Sequence, residues 1–228
     1  MKYKPTSKEE LQKLVDDLSI NLGDIDTSKI TDMSYLFCYT SRTDFSGIEN
    51  WDVSKVEDMQ HMFFGARAFN QPIGDWDVSN VKNMAAMFAR AESFNQPIGD
   101  WDVSNVWDMG SMFEGAESFN QPIGDWNVGN VKYMNGMFYQ AKSFNQPIGD
   151  WDVGKVWSMV SMFQEATSFN QDISSWDVSN VKYMRDMFKN AESFNQDISN
   201  WDLSKVESID EATEDLICNN HNNTRTMR

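Results

Sequence analysis

Few groups in this chain are placed to do covalent chemistry. The 228 residues include two histidines, His61 and His221, and two cysteines, Cys38 and Cys218. Neither histidine has a serine, a cysteine or a carboxylate at the spacing a general base or a nucleophile pair requires. No phosphate-cradling glycine loop, HExxH pair or nucleophile elbow occurs. The catalytic set is empty, and the chain reads as a non-enzymatic protein that takes no cofactor. The two cysteines lie near opposite ends of the chain, too far apart in an elongated stack to bridge, because disulfide Cα atoms sit within about 7 Å. No CxxC motif is present, and the composition suits a reducing compartment.

Three recurring residue sets imitate ligand sites. Paired methionines, such as Met84/Met87 and Met109/Met112, have the Met-x-x-Met form that soft Cu(I) accepts. They fall on an apolar face beside Phe and Ala, so core packing explains them. Aspartates flank tryptophan, as in Asp75-Trp76-Asp77, and would stack into acidic ladders able to hold calcium. The glycine-rich nonapeptide of calcium-binding β-rolls is missing, and turn formation or helix capping accounts for the acids. The metal set is therefore empty too. Asn95-Gln96 and its copies form amide ladders whose members satisfy one another between neighbouring coils.

One set resists such an explanation. Six residues after each tryptophan the chain reads Glu57, Lys82, Trp107, Lys132, Trp157, Lys182, and the next position reads Asp58, Asn83, Asp108, Tyr133, Ser158, Tyr183. Alternating Lys and Trp would permit cation–π contacts between coils. Alternatively the row is an exposed aromatic stripe, since Trp and Tyr are the residues that anchor interfaces. The candidate binding set is Lys82, Trp107, Lys132, Tyr133, Trp157, Lys182 and Tyr183, with Trp107, Tyr133, Trp157 and Tyr183 expected on one surface.

What positions this row is a repeat. Trp51, Trp76, Trp101, Trp126, Trp151, Trp176 and Trp201 follow one another every 25 residues, each within a version of "WDVSNVKNMAAMFARAESFNQPIGD". A weaker copy starts at Ile25, carries Ile30, Met33, Leu36 and Phe37 in the matching places, and has one extra residue before Trp51. The last copy decays, with Ile209, Ala212 and Thr213 in place of Met, Met and Phe. Val81, Met84, Met87, Phe88 and Ala91 have the spacing of one face of a short helix, with Ser79 as its N-cap. Alternation of Phe94, Gln96 and Ile98 predicts a short strand, and Pro97 excludes helix there.

A unit this short falls below the roughly 40 residues needed for independent folding, so the copies must stack, Trp on Trp and Phe on Phe. The strands would then form a parallel sheet at about 4.8 Å spacing. Residues 1–24 supply an N-terminal capping helix and a first strand region, the amphipathic helix over 7–17 bearing Leu11, Leu14 and Val15. Residues 25–212 are the repeats, and 213–228 the remnant of a C-terminal cap with a polar, disordered tail. The segment "SKVESIDEATEDLI" is suited to a charged capping helix at that end.

The tandem "FNQPIGDWDVSNVKNMAAMF", with its Trp, Met-x-x-Met-Phe and Phe-Asn-Gln positions, resembles the BspA-like leucine-rich-repeat surface proteins of bacteria. The opening "SKEELQKLVDDLSINLGDIDTSKITDMSYLF" and "DFSGIENWDVSKV" resemble that family's lead-in, so the likeness covers roughly residues 5–212. It implies an α/β fold: a single leucine-rich-repeat-like solenoid whose coils each hold one short parallel strand and one short helix, capped at both ends. It further implies a surface or adhesive role, and it brings no catalytic residues.

Bulk charge narrows the partners. A formal charge of −16 and a pI near 4.4 repel nucleic-acid phosphates and anionic membrane surfaces. No apolar stretch approaches the roughly 18 residues needed to span a bilayer. The N-terminus has no apolar h-region or cleavage site, so as encoded the chain reads as cytoplasmic. The expected function is a non-enzymatic scaffold that binds a protein or a glycan on an extended face, as a monomer or weak dimer. The alternative is a structural spacer or surface-layer repeat without a ligand site. A calcium-dependent adhesin is a third reading.

Overall fold

The computed structural model describes the backbone of residues 1–223 and the side chains of residues 1–217. Its architecture is a tandem-repeat fold that is mostly non-helical; among the described residues α-helices occur only near the two ends, with short 3-10 turns at Leu22–Asp24 and Ile48–Asn50. Helix α1 spans Lys8–Asp16 and helix α2 spans Glu211–Asn223.

Helix α1 forms where the sequence places it. Ser7 caps it by accepting from the Glu10 N–H, while the Glu10 carboxylate accepts from the Thr6 N–H at 2.7 Å. That reciprocal arrangement satisfies donors a helix start leaves free. Leu11 and Val15 point into the core. The far end of α1 is tied down by Arg42, which is 5% exposed and donates to the carbonyls of Val15 and Asp17 at 3.0 and 2.8 Å. Helix α2 continues through Asn223, so the first six residues of the tail expected to be disordered are helical. The rest of that tail, 224–228, lies outside the described residues, as do the side chains of Cys218 and His221.

Between the caps each repeat is bonded to the next, but not through the elements expected. Val81, Met84, Met87, Phe88 and Ala91 are all buried, yet the backbone that carries them is not a helix. Ala86 and Arg90 have φ of 53° and 57°, and the same two left-handed positions recur along the chain. They fall at Tyr35 and Tyr39, His61 and Gly65, Ser111 and Gly115, Gly136 and Gln140, Ser161 and Glu165, Asp186 and Asn190. Each reversal closes a tight turn, as in Met87 N–H to Met84 O at 3.1 Å and Ala91 N–H to Phe88 O at 3.0 Å. Every second N–H is thereby turned toward the neighbouring repeat. Met84, Ala86, Phe88 and Arg90 donate to the carbonyls of Asp108, Gly110, Met112 and Glu114 at 2.6–3.0 Å. A non-glycine residue held left-handed costs about 1–2 kcal/mol. The inter-repeat hydrogen bonds it makes possible offset that cost, and none of these positions carries a β-branched side chain.

The strand expected over Phe94–Ile98 is likewise absent. The parallel contacts are isolated bridges between successive repeats, running Asp32, Asp58, Asn83, Asp108, Tyr133, Ser158, Tyr183, Ser208. At the 94–98 segment a side chain displaces the backbone acceptor. The Asn95 N–H donates to Asn70 Oδ1, the Asn120 N–H to Asn95 Oδ1, and the Asn145 N–H to Asn120 Oδ1, all at 2.9–3.0 Å. Gln121 and Gln146 Nε2 join the same oxygens at 2.9 and 3.0 Å, completing an amide ladder. Ser79 is not a helix N-cap either. Its N–H and hydroxyl both donate to Asp77 Oδ1, at 3.1 and 2.6 Å, which makes a local turn.

One continuous core runs from Leu11 to Ile217. Phe88, Phe113, Phe138 and Phe163 stack from repeat to repeat at 5.6–5.8 Å, and Phe88 lies on Phe94 at 4.0 Å within its own repeat. Each buried indole N–H donates to a carbonyl of the preceding repeat: Trp101 to Ile73 O, Trp126 to Ile98 O, Trp151 to Ile123 O, at 3.0–3.2 Å. The tryptophan at this position thus packs and cross-links at once.

Candidate binding face

The row six residues after each tryptophan lies beside the bridge row, and its backbone is bonded in register. Lys82 N–H donates to Glu57 O, Trp107 to Lys82, Lys132 to Trp107, Trp157 to Lys132 and Lys182 to Trp157, at 2.8–3.1 Å. Such a ladder fixes one outward side chain per repeat in a line. Its two ends are closed by ion pairs, Lys82 with Glu57 at 2.7 Å and Lys182 with Glu207 at 3.0 Å. The hydrogen bond from Lys182 and its charge hold the Glu207 carboxyl below its ordinary range.

The centre of the line is aromatic. Trp107 is 40% exposed and Trp157 37%, against 3–6% for the repeat tryptophans of the core. Tyr133, half-buried on the bridge row, lies between them. Its ring is 6.0 Å from Trp107, edge-on, and 5.2 Å from Trp157. Tyr183 is exposed one repeat further on, and its hydroxyl donates to Glu207 at 3.4 Å. The structure thus brings Trp107, Tyr133 and Trp157 into one contiguous run, with Lys132 exposed beside them. Lys82 and Lys182 are held at its two ends by glutamates.

The cation–π contacts expected between row lysines and tryptophans do not form. Among the described residues such contacts fall instead at Lys8 over Tyr35 and Arg90 over Phe64, at 5.9 and 5.8 Å. For Lys82 and Lys182 the parallel register explains the difference, since Glu57 and Glu207 occupy the same row one repeat away and offer these two lysines a charged partner.

Two features of this face escape the repeat pattern. Tyr35 and Tyr39 are exposed at left-handed positions of the irregular first repeat, and Tyr35 stacks on His61 at 4.5 Å. Burial lowers the His61 pKa, and its Nδ1 is buried without a hydrogen-bond partner. Next to His61 a recess of about 230 Å³ opens between Asp108, Tyr133 and Asn135. Burial pushes the Asp108 carboxyl above its ordinary value, opposed only by a hydrogen bond from the Gly110 N–H at 2.8 Å. The scatter of glycine at Gly65, Gly115 and Gly136, inside what reads as helix, is the signal that marks the left-handed positions.

The paired methionines and the aspartates that follow the core tryptophans are engaged internally. The methionine pairs are fully buried. Among the described residues no three His, Cys, Asp or Glu side chains converge as a metal ion would require. Asp52, Asp102 and Asp177 accept from serine hydroxyls and N–H groups two residues on, which hold their carboxyls below the ordinary range. Burial raises the Cys38 thiol. No helix among the described residues is long and apolar enough to cross a membrane.

Fold and face together define a tandem-repeat protein whose core is a set of aromatic ladders and which carries two further, exposed tryptophans on one outward row. A family model described as "Mycoplasma protein of unknown function, DUF285" matches residues 9–126 and again 117–225, and the chain belongs to that family. No curated protein and no solved structure matches the chain.

Proposed function

We propose that this chain is a non-enzymatic interaction scaffold, a solenoid of the leucine-rich-repeat-like kind related to the BspA-like surface proteins. On this reading it holds a protein or glycan partner along the face built by Trp107, Lys132, Tyr133, Trp157 and Tyr183. A single observation carries the reading. Two indoles at a repeat position elsewhere filled by charged residues stand more than a third exposed, with a tyrosine packed between them. Exposing such rings gains nothing for the fold, whereas Trp and Tyr are the side chains on which binding energy concentrates. Adhesion at a cell surface is the setting that the BspA-like resemblance favours.

The competing reading is a structural spacer. It draws on the Asn and Trp ladders, which tie each repeat only to its neighbours and set length without requiring a ligand. The test immobilises the wild type beside a Trp107→Ser/Tyr133→Ser/Trp157→Ser variant of unchanged melting temperature. Both are then exposed to cell lysates and to a panel of glycans. A ligand retained by the wild type and released by the variant supports the scaffold. Equal retention, or none by either, supports the spacer.

A further inference from the structure

The aromatic run and the adjoining recess share Tyr133, and together they specify a ligand more closely than either does alone. The recess exists because two neighbouring repeats carry Ala85 and Gly110 where others carry Gln60 and Val160. A Cβ on Gly110 would come within 3.1 Å of both Asp108 Oδ1 and Asn135 Nδ2, so the glycine leaves those two polar groups open to a ligand.

Charge selects among ligand classes. The chain's charge of −16 and the desolvated Asp108 carboxyl oppose a polyanion. Lys132, in the middle of the run and without an ion-pair partner among the described residues, puts a positive charge on the face itself, so the face lacks the acidic surface that a polycation would need. What remains suited is a neutral ligand rich in groups that both donate and accept. Asp108 accepts, Lys132 donates, and Ser111 and Asn135 do both, which is the complement of a hydroxyl-bearing ring.

Spacing points the same way. Trp107, Tyr133, Trp157 and Tyr183 provide one ring per repeat over four successive repeats. The ring centroids of Trp107, Tyr133 and Trp157 step by 6.0 and 5.2 Å along the ladder. An extended, equatorially linked sugar chain advances by nearly the same length per pyranose, so its apolar C–H faces would meet aromatic rings in step.

We infer that this face binds an extended, uncharged polysaccharide, with successive pyranose rings on Trp107, Tyr133 and Trp157 and one ring hydrogen-bonded in the recess by Asp108 and Asn135. The inference rests on the scaffold reading above and narrows its ligand.

The test measures depletion of the protein from solution by insoluble cellulose, chitin and β-mannan, and its retardation in gels containing soluble xylan. Heparin and polylysine serve as anionic and cationic comparators. The wild type is compared with Trp157→Ser and Asn135→Ala, each checked for an unchanged melting transition. The expected result is binding of at least one neutral polysaccharide, weakened at least about tenfold by Trp157→Ser and measurably by Asn135→Ala. A blue shift of tryptophan emission should accompany binding as the exposed indoles are covered. Binding of heparin or polylysine alone overturns the inference, as does binding of no neutral polysaccharide or binding unaffected by Trp157→Ser. If the neutral glycans fail while a lysate protein is still released only by the triple variant, the glycan falls and the scaffold stands. If nothing depends on the aromatic run, both fall.

Discussion

Replacing one buried tryptophan by phenylalanine separates what the indole ladder contributes from what aromatic packing contributes. Trp126 is 3% exposed, stacks near Phe113 at 6.3 Å, and donates its N–H to Ile98 O at 3.0 Å. That carbonyl also accepts from the Trp101 N–H at 3.2 Å, so Trp126→Phe leaves it with one partner rather than none. The hydrogen-bond loss is therefore about 1 kcal/mol, not the larger penalty of an orphaned group. The smaller ring leaves a void that adds about 1 kcal/mol at roughly 24 cal/mol per Å³. The sum, about 2 kcal/mol, should lower the melting temperature by about 4–8 °C in a domain of this size. The control is Trp107→Phe, the same chemical change at an exposed site, expected within about 0.5 kcal/mol of wild type. Urea unfolding followed by far-UV circular dichroism and by tryptophan emission gives both values, provided the two probes report one coincident transition. Equal costs at the two positions would refute the ladder, because they would mean that the buried indole N–H contributes nothing across repeats.

Other perturbations test other parts of the stack. Arg42→Ala removes a guanidinium that donates to the carbonyls of Val15, Asp17, Ile20 and Asp44, and should cost at least about 3 kcal/mol. Hydrogen exchange should then show α1 losing protection ahead of the repeats, and lysine at this position should restore little of it. Asn120→Ala deprives the Asn145 N–H and Gln146 Nε2 of their shared acceptor and should cost about 1–3 kcal/mol, whereas Asn120→Asp, which keeps Oδ1, should cost less in the same denaturation assay. For pH, Asp52, Asp102 and Asp177 titrate below their ordinary values. The stability they contribute is complete above about pH 3.9 and is lost as pH falls through their depressed values. Asp108 is raised, so its penalty is complete above its folded value and is relieved on acidification, as is repulsion from the net charge. Calorimetry should find the melting temperature falling as pH drops below about 4, where these aspartates protonate.

How much of this was legible in the sequence depends on what periodicity measures. The spacing of Val81, Met84, Met87, Phe88 and Ala91 correctly marks which side chains face inward, and all five are buried. It does not report φ. A succession of tight turns with left-handed residues at Ala86 and Arg90 presents the same inward set as a helix, while turning alternate N–H groups toward the next repeat. Gly65, Gly115 and Gly136 were the visible clue, since glycine recurring inside an apparent helix marks a backbone that needs positive φ. The strand expected over Phe94–Ile98 does not form for a different reason. Alternation locates buried side chains, but the Asn ladder puts side-chain oxygens where a sheet would put carbonyls. The Glu57 and Glu207 pairings, by contrast, follow from register alone and were legible once the period was known.

That distinction also explains why the candidate site lies where repetition fails. In a stack, each inward residue must fit the one below it and the one above it, so Phe88, Phe113 and Phe138, or Trp101, Trp126 and Trp151, are locked to one another. An outward position has no such constraint, because the backbone ladder through Lys82, Trp107, Lys132 and Trp157 holds its register whatever the side chain. The same latitude applies at Ala85 and Gly110, where loss of side-chain bulk opens the recess without disturbing the core. Large aromatics gained on two adjoining rows, Trp107 and Trp157 on one and Tyr133 on the other, and side chains lost at Ala85 and Gly110 make a ridge and a hollow that touch at Tyr133. Chain architecture needs neither feature. Their adjacency is the physical reason for placing a ligand there rather than on Asp77, Asp102 and Asp177, which are already committed to turns.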